Sequence, residues 1–232
     1  MQADNANGPV LTAVDLSRVF GSGDTAVTAL SGISLTVQQG DFLAVTGRSG
    51  SGKTTLLNLL SGLDSPTTGT VHFHGDDLEN LRESDLVEMR RHKIGFVFQS
   101  FGLMPLLSAQ ENVELPLHIG GASWRERRQK ATEALRAVGL GTRARHRPFE
   151  LSGGEQQRVS IARALVTEPE VVFADEPTGE LDTATARSIA ETLGEVATSR
   201  RATVIVATHD LDLAATAQRS LDLVDGMIVS QG

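Results

Sequence analysis

An α/β fold is predicted, with a mostly parallel central sheet, a smaller antiparallel β part and a helical layer midway along the chain. Three observations predict it. A glycine-rich loop at residues 47–53 sits between a short apolar run, 41–46, and a helical stretch, 56–60, which is a strand, loop, helix order. Two further apolar runs, 171–174 and 203–208, do not alternate and lead into polar residues, as buried parallel strands do. Runs 10–16 and 33–38 instead alternate, the period of strands with one wet face in an antiparallel sheet.

The loop matches G-x-x-x-x-G-K-[ST] at every fixed position, from Gly47 through Arg48, Ser49, Gly50, Ser51, Gly52 and Lys53 to Thr54 and Thr55. Its three glycines let backbone N–H groups turn inward as an anion nest, and Lys53 adds a full positive charge. The following helix begins with its partial positive charge facing the same anion, and Thr54 is left to ligate magnesium. The stretch reads as a nucleotide phosphate site.

Composition narrows the classes. At 232 residues, 40% hydrophobic, the chain can bury a substantial core as one or two domains. A formal charge of -8 provides no electrostatic footprint for nucleic acid, so none is expected as a partner. With no cysteine, disulfides and thiolate metal sites are excluded, and the location expected is cytoplasmic. Residues 1–9 are polar and close on Gly-Pro, which reads as a disordered leader without the regions of a signal peptide. No apolar stretch of about 18 residues occurs.

In chain order, Phe20 comes between the alternating runs; it stacks on an adenine ring or packs in the core, and the residues leave both open. A turn at 65–69 precedes a strand near 70–74, where His72 and His74 share a face without the further ligands of a metal shell. Residues 83–91 read as an exposed charged helix, and the strand 94–98 delivers Gln99 at its tip, where α/β ligands gather. Residues 100–107 crowd Phe101, Leu103, Met104, Leu106 and Leu107 together without a charge, as a local core or a docking surface. Ser123 and Glu126 match a capping box; their helix puts Ala131, Ala134, Leu135 and Val138 on one face and stops at Gly139. The basic run 142–148, with Arg143, Arg145, His146 and Arg147, reads as solvated or at most as touching an acidic partner.

Ser152, Gly153, Gly154 and Glu155 then open a helix buried through Val159, Ile161, Ala162 and Leu165, which makes a second anion site apart from the first. A simple mononucleotide kinase needs no such feature. The run 171–174 ends in Asp175 and Glu176, strand-end carboxylates suited to a magnesium partner and a water-activating base. The run 203–208 ends on His209.

Taken in this order, the motifs resemble the nucleotide-binding subunit of ABC transporters across residues 10–230. Residues 47–55 resemble its Walker A motif, Gln99 the Q-loop glutamine, and 151–155 the LSGGQ signature. Residues 171–176 resemble Walker B with its catalytic glutamate, 180–182 the D-loop through Asp182, and His209 the switch histidine. The resemblance implies a P-loop NTPase core in a domain over 10–232, with an antiparallel β subdomain and an α-helical subdomain inserted at about 100–160. It implies ATP and Mg²⁺ as cofactors, with two copies head to tail and each ATP held between Walker A of one and Ser152, Gly153 and Gly154 of the other. Thr54, Gln99 and Asp175 then surround Mg²⁺. Glu176 polarises the attacking water, His209 contacts the γ-phosphate, and Lys53 completes the catalytic set. Phe20 falls where the family places an adenine-stacking aromatic, and Glu155 replaces the signature's glutamine.

Residues 98–101, 103–106, 111–113 and 177–179 are similar to the subfamily of macrolide and lipoprotein exporters. That similarity implies a membrane permease as partner, met through about residues 99–107, and a peripheral place on the inner face of the membrane. The alternatives are a member that energises cell-wall remodelling and a soluble ABC-type ATPase of DNA repair. Chains of the latter kind usually carry zinc modules or long coiled coils, for which the segment between Gln99 and the signature has no cysteine and no sustained heptads. No N-K-x-D sequence supports a GTPase, and Glu176 with His209 argues against a switch that binds nucleotide without hydrolysis.

Overall fold

The structure is a computed structural model that describes residues 8–199 and 202–232. The leader expected at 1–9 lies outside the described residues up to residue 7, and Pro9 already starts a strand. β1 (Pro9–Phe20) and β2 (Val27–Gln38) run antiparallel and are longer than their alternation marks, because register shifts interrupt the period along β1. β3 (Phe42–Thr46) is buried at every residue and feeds α1 (Lys53–Leu60). β4 (Thr68–Phe73) and β5 (Asp76–Asp77) complete a four-stranded sheet in the order β2-β1-β4-β5.

α2 (Glu83–Lys93) leads into β6 (Ile94–Val97). The helical layer is α3 (Ala109–Ile119), α4 (Trp124–Ala137) and α5 (Gly153–Leu165). The chain returns through β7 (Val171–Asp175), α6 (Thr183–Ser199), β8 (Thr203–Thr208), α7 (Leu211–Ala214), β9 (Arg219–Val224) and β10 (Met227–Gln231). The second sheet runs β10-β9-β3-β8-β7-β6, parallel throughout except at the β10 edge.

The central strands lack alternation because both of their faces are covered. Phe42, Ala44, Val172, Ala174, Val204 and Val206 belong to one core, with the helical layer and α6. Their neighbours Leu43, Val45, Val171, Phe173, Ile205 and Ala207 belong to the other, with α1 and the antiparallel sheet. Successive side chains of one strand thus anchor two layers at once.

Two local features differ from their sequence pattern. Ser123 Oγ accepts from the Glu126 N–H, but the Glu126 carboxylate lies 3.5 Å from Lys130 Nζ, so the box is only half closed. The reciprocal box forms instead at Ser108 and Glu111 and again at Ser152 and Glu155. His72 and His74 do not converge: His72 bonds the Thr70 hydroxyl, whereas His74, at φ +51°, turns to Glu170.

Residues 100–107 divide between the core and the surface. Leu103 packs onto the helical core while Met104 and Leu106 stay exposed. The loop is pinned by Asn112 of α3, fully buried, whose Oδ1 accepts from the Met104 N–H at 2.7 Å and whose Nδ2 donates to the Met104, Leu107 and Ser108 carbonyls. One amide therefore engages four backbone groups, of which the Met104 and Ser108 carbonyls also accept a backbone N–H. Asn112→Leu should destabilise the protein by about 2–4 kcal/mol, read as a lower urea midpoint at unchanged slope; a midpoint equal to wild type would show that the loop finds other partners.

Candidate functional site

Because β3, β8 and β7 are parallel, their C-terminal tips emerge on one edge. Thr46 lies opposite Thr208, and Ala207 opposite Asp175, so the loop after β3, His209 after β8 and Glu176 after β7 start level with one another. Glu176 is held by its own N–H donating to the Ala207 carbonyl at 2.8 Å, at a left-handed φ of +45° that few side chains adopt.

The glycine loop is shaped by backbone crowding. Gly47 has φ +148°, and a Cβ there would strike the Leu223 carbonyl; a Cβ on Gly52, at φ +104°, would come within 2.6 Å of the Ala29 carbonyl. Gly52 also sits at the N-cap of α1 with no side-chain cap, leaving the first turn's N–H groups for a ligand. Lys53 Nζ donates back to the Gly47 and Arg48 carbonyls at 2.8 and 3.2 Å and lies 3.3 Å from Glu176 Oε1. Glu176 Oε2 is in turn 2.8 Å from His209 Nδ1. With side-chain exposures of 6% and 12%, Lys53 and Glu176 form an almost buried ion pair.

Asp175 stands beside them. Its Oδ2 accepts from the Thr54 hydroxyl at 2.8 Å, and its Oδ1 is buried without a hydrogen-bond partner. Burial raises its carboxyl above the ordinary range, with Glu176 adding to the rise and Thr54 and Lys53 opposing it. The Ser51 hydroxyl is a second buried group without a partner.

An open cleft of about 370 Å³ is lined by Ser49, Gly50, Gly52, Lys53, Thr54 and Thr55 together with Gln99, Glu176 and His209, while Gly47, Ser51 and Asp175 lie outside its lining. Val27, Thr28 and Ala29 of β2 close its end. Nothing in the pattern of the sequence marks these three, because they come from the other sheet. Arg48 contributes its carbonyl to Lys53 and to the Ser51 N–H, while Phe20 lies outside the cleft lining. Phe20 is paired across the strands with Val27, and its ring is faced by the Arg18 guanidinium 4.6 Å from its centre.

The turn expected as a second anion site is not part of this cleft. Ser152, Gly153, Gly154 and Glu155 begin α5 elsewhere, with Leu181 beside Gly153 and Thr185 beside Gly154. Asp182 accepts from the Thr185 hydroxyl at 2.6 Å and from the Ala184 and Thr185 N–H groups, which caps α6 and holds its carboxyl below the usual range. Glu155 likewise turns back on its own helix, accepting from the Ser152 N–H at 2.9 Å, and pairs with Arg143 at 3.0 Å.

A family model described as ABC transporter matches residues 30–179. The lipoprotein-releasing system ATP-binding protein LolD of Geobacter metallireducens is 47% identical over 221 residues, 95% of this chain and 98% of that protein. The macrolide export ATP-binding/permease protein MacB of Hyphomonas neptunium is also 47% identical, over 96% of this chain but 34% of that protein. The chain thus spans about a third of the length of such fused relatives. Among solved structures, a dimeric ATP-binding cassette in a post-hydrolysis state with ADP and Pi superposes with a TM-score of 0.88 at 40% identity, covering 96% of this chain and 97% of that one. Identity at this level along almost the whole chain, on the same fold, settles the family: the protein belongs to the ABC transporters, as one of their ATP-binding subunits.

Proposed function

We propose that the chain hydrolyses ATP as the motor of an exporter-type ABC transporter, pairing head to tail with a second copy around two Mg-ATP and driving a membrane permease. The observation that carries this reading is the incompleteness of the cleft. One wall holds the phosphate loop, Glu176 and His209, whereas the chain's other anion turn, Ser152 to Gly154, lies apart from it. A second copy turned end for end supplies the missing wall. The dimeric form of the related cassettes supports this, as do the relatives named for lipoprotein release and macrolide export.

In this reading an entering γ-phosphate takes over Lys53 from the Gly47 and Arg48 carbonyls and from Glu176. Glu176, released but still tied to His209, orients the attacking water and accepts its proton. His209 also reaches the γ-phosphate, and the N–H groups of residues 50–55 take the remaining oxygens. Phe20, at the end of β1 beside Val27, offers its ring to adenine, and Asp182 lies at the seam between copies.

Magnesium fits the site on one observation: an orphaned, buried carboxylate oxygen of Asp175 beside the Thr54 hydroxyl. Thr54 and Asp175, with Gln99 on the facing wall, would hold the ion, which when bound neutralises phosphate charge.

The permease is assigned to an apolar groove of about 490 Å³ rather than to residues 99–107 alone. It is lined among others by Phe96, Phe98, Gly102, Met104, Leu115 and Ile119, and Arg163 ties its floor to α5 by donating to the Phe101 and Gly102 carbonyls. No helix of the described residues is long and apolar enough to cross a membrane, and a peripheral place on the membrane's inner face follows from the permease.

Glu176→Gln is expected to lower turnover by a factor of about 10²–10⁴ and to accumulate an ATP-bound dimer in size-exclusion chromatography; hydrolysis at the wild-type rate would remove Glu176 from its role. Asp175→Asn tests the metal assignment. Because its folded-state value is raised, the stability Asp175 contributes is present below its unfolded value and lost as pH rises through the folded one, so its ionisation costs the free protein stability. The variant should have a higher thermal midpoint without nucleotide yet lose magnesium-dependent ATP turnover; a lower midpoint would contradict the burial argument. Cysteines placed at Phe98 or Ile119 should crosslink to cytoplasmic loops of a co-expressed permease, and labelling only elsewhere would move the docking surface.

A further inference from the structure

The signature turn carries an electrostatic problem. A helix start offers an approaching phosphate a partial charge of about +0.5, but Glu155, in the first turn of α5, brings a full negative charge to the same place. That charge is present at neutral pH, since the Ser152 N–H, helped by the Ser152 hydroxyl and Arg143, holds the carboxyl below the usual carboxylate range. Unopposed, it would repel the very anion that the glycines leave room for.

The structure contains the remedy in a segment that the sequence offers as a solvated basic run. Arg143 lies on the loop between α4 and α5, and its Nε donates to Glu155 Oε1 at 3.0 Å while one terminal nitrogen lies 3.3 Å from His146 Nε2. The other carboxylate oxygen, Oε2, accepts from the Ser152 N–H at 2.9 Å, and the Ser152 Oγ accepts from the Glu155 N–H at 3.3 Å. Both Glu155 oxygens are therefore engaged, and the carboxylate points back into its own subunit.

We propose that Arg143 is a positioning residue for the Ser152-Gly153-Gly154 turn: its guanidinium neutralises Glu155 and keeps that carboxylate folded back, so that the turn can receive the phosphates of ATP bound to the other copy. This rests on the head-to-tail pairing proposed above. The pair is partly exposed, with side chains 47% and 26% accessible, so its contribution to folding is small and its effect is felt by the incoming anion.

The test uses the full chain in a Glu176→Gln background and titrates ATP-driven dimerisation. Arg143→Ala should raise the ATP concentration for half-dimerisation about five- to ten-fold, with the defect shrinking as salt rises. The affinity of the monomer for ATP should not change. Adding Glu155→Gln, which keeps the capping box without the charge, should restore the titration to within about two-fold of the parent. Arg143→Gln serves in place of alanine should alanine not fold, with the same pattern expected. Dimerisation unaffected by loss of Arg143, or a defect that Glu155→Gln fails to relieve, overturns the inference and leaves the pairing intact. Failure of Glu176→Gln alone to dimerise with ATP overturns the pairing, and the inference with it.

Discussion

The site depends above all on the register of three parallel strands. With Thr46 level with Thr208 and Ala207 level with Asp175, the sheet ladder carries the phosphate loop, His209 and the two acids to one edge at one height. A parallel ladder fixes that alignment to within a residue, because a slip by one would exchange the side chains that feed the two cores. Stability and function are thereby set by the same hydrogen bonds. The Glu176 N–H extends the ladder one residue beyond β7 and so holds a left-handed backbone that would otherwise relax.

On this rigid edge the polar groups are held in tension with their surroundings. Lys53, almost buried, satisfies itself with two loop carbonyls and Glu176, and Asp175 keeps an oxygen without a partner. Such arrangements are costly in a closed core and persist where a ligand completes them. The cleft opens to water through exposed Thr54 and His209, which reduces the penalty and leaves an entry for phosphate.

α5 connects this edge to the rest of the molecule. Its start is the Ser-Gly-Gly turn, Gln157 within it donates to the Pro177 carbonyl at 2.8 Å, and Arg163 near its end holds the loop that floors the apolar groove. One helix thus touches the anion turn, the segment after Glu176 and the groove.

Much of this was legible in the sequence, because phosphate binding and buried parallel strands are written locally: the glycine spacing around Lys53, the unalternating runs before Glu176 and His209, and the Ser-Gly-Gly helix start each need only a few consecutive residues. Other features depend on residues far apart in the chain, and no local pattern records them. Val27 to Ala29 closing the cleft, Phe20 set outside its lining beneath Arg18, Arg143 reaching Glu155, and Asn112 pinning residues 104–108 arise only when separate elements pack together. The amino-acid order by itself determined which groups are suited to a nucleotide phosphate and in what strand-tip setting; the tertiary structure alone decided which of them share a cleft, since that is a matter of sheet order and register between segments far apart in the chain.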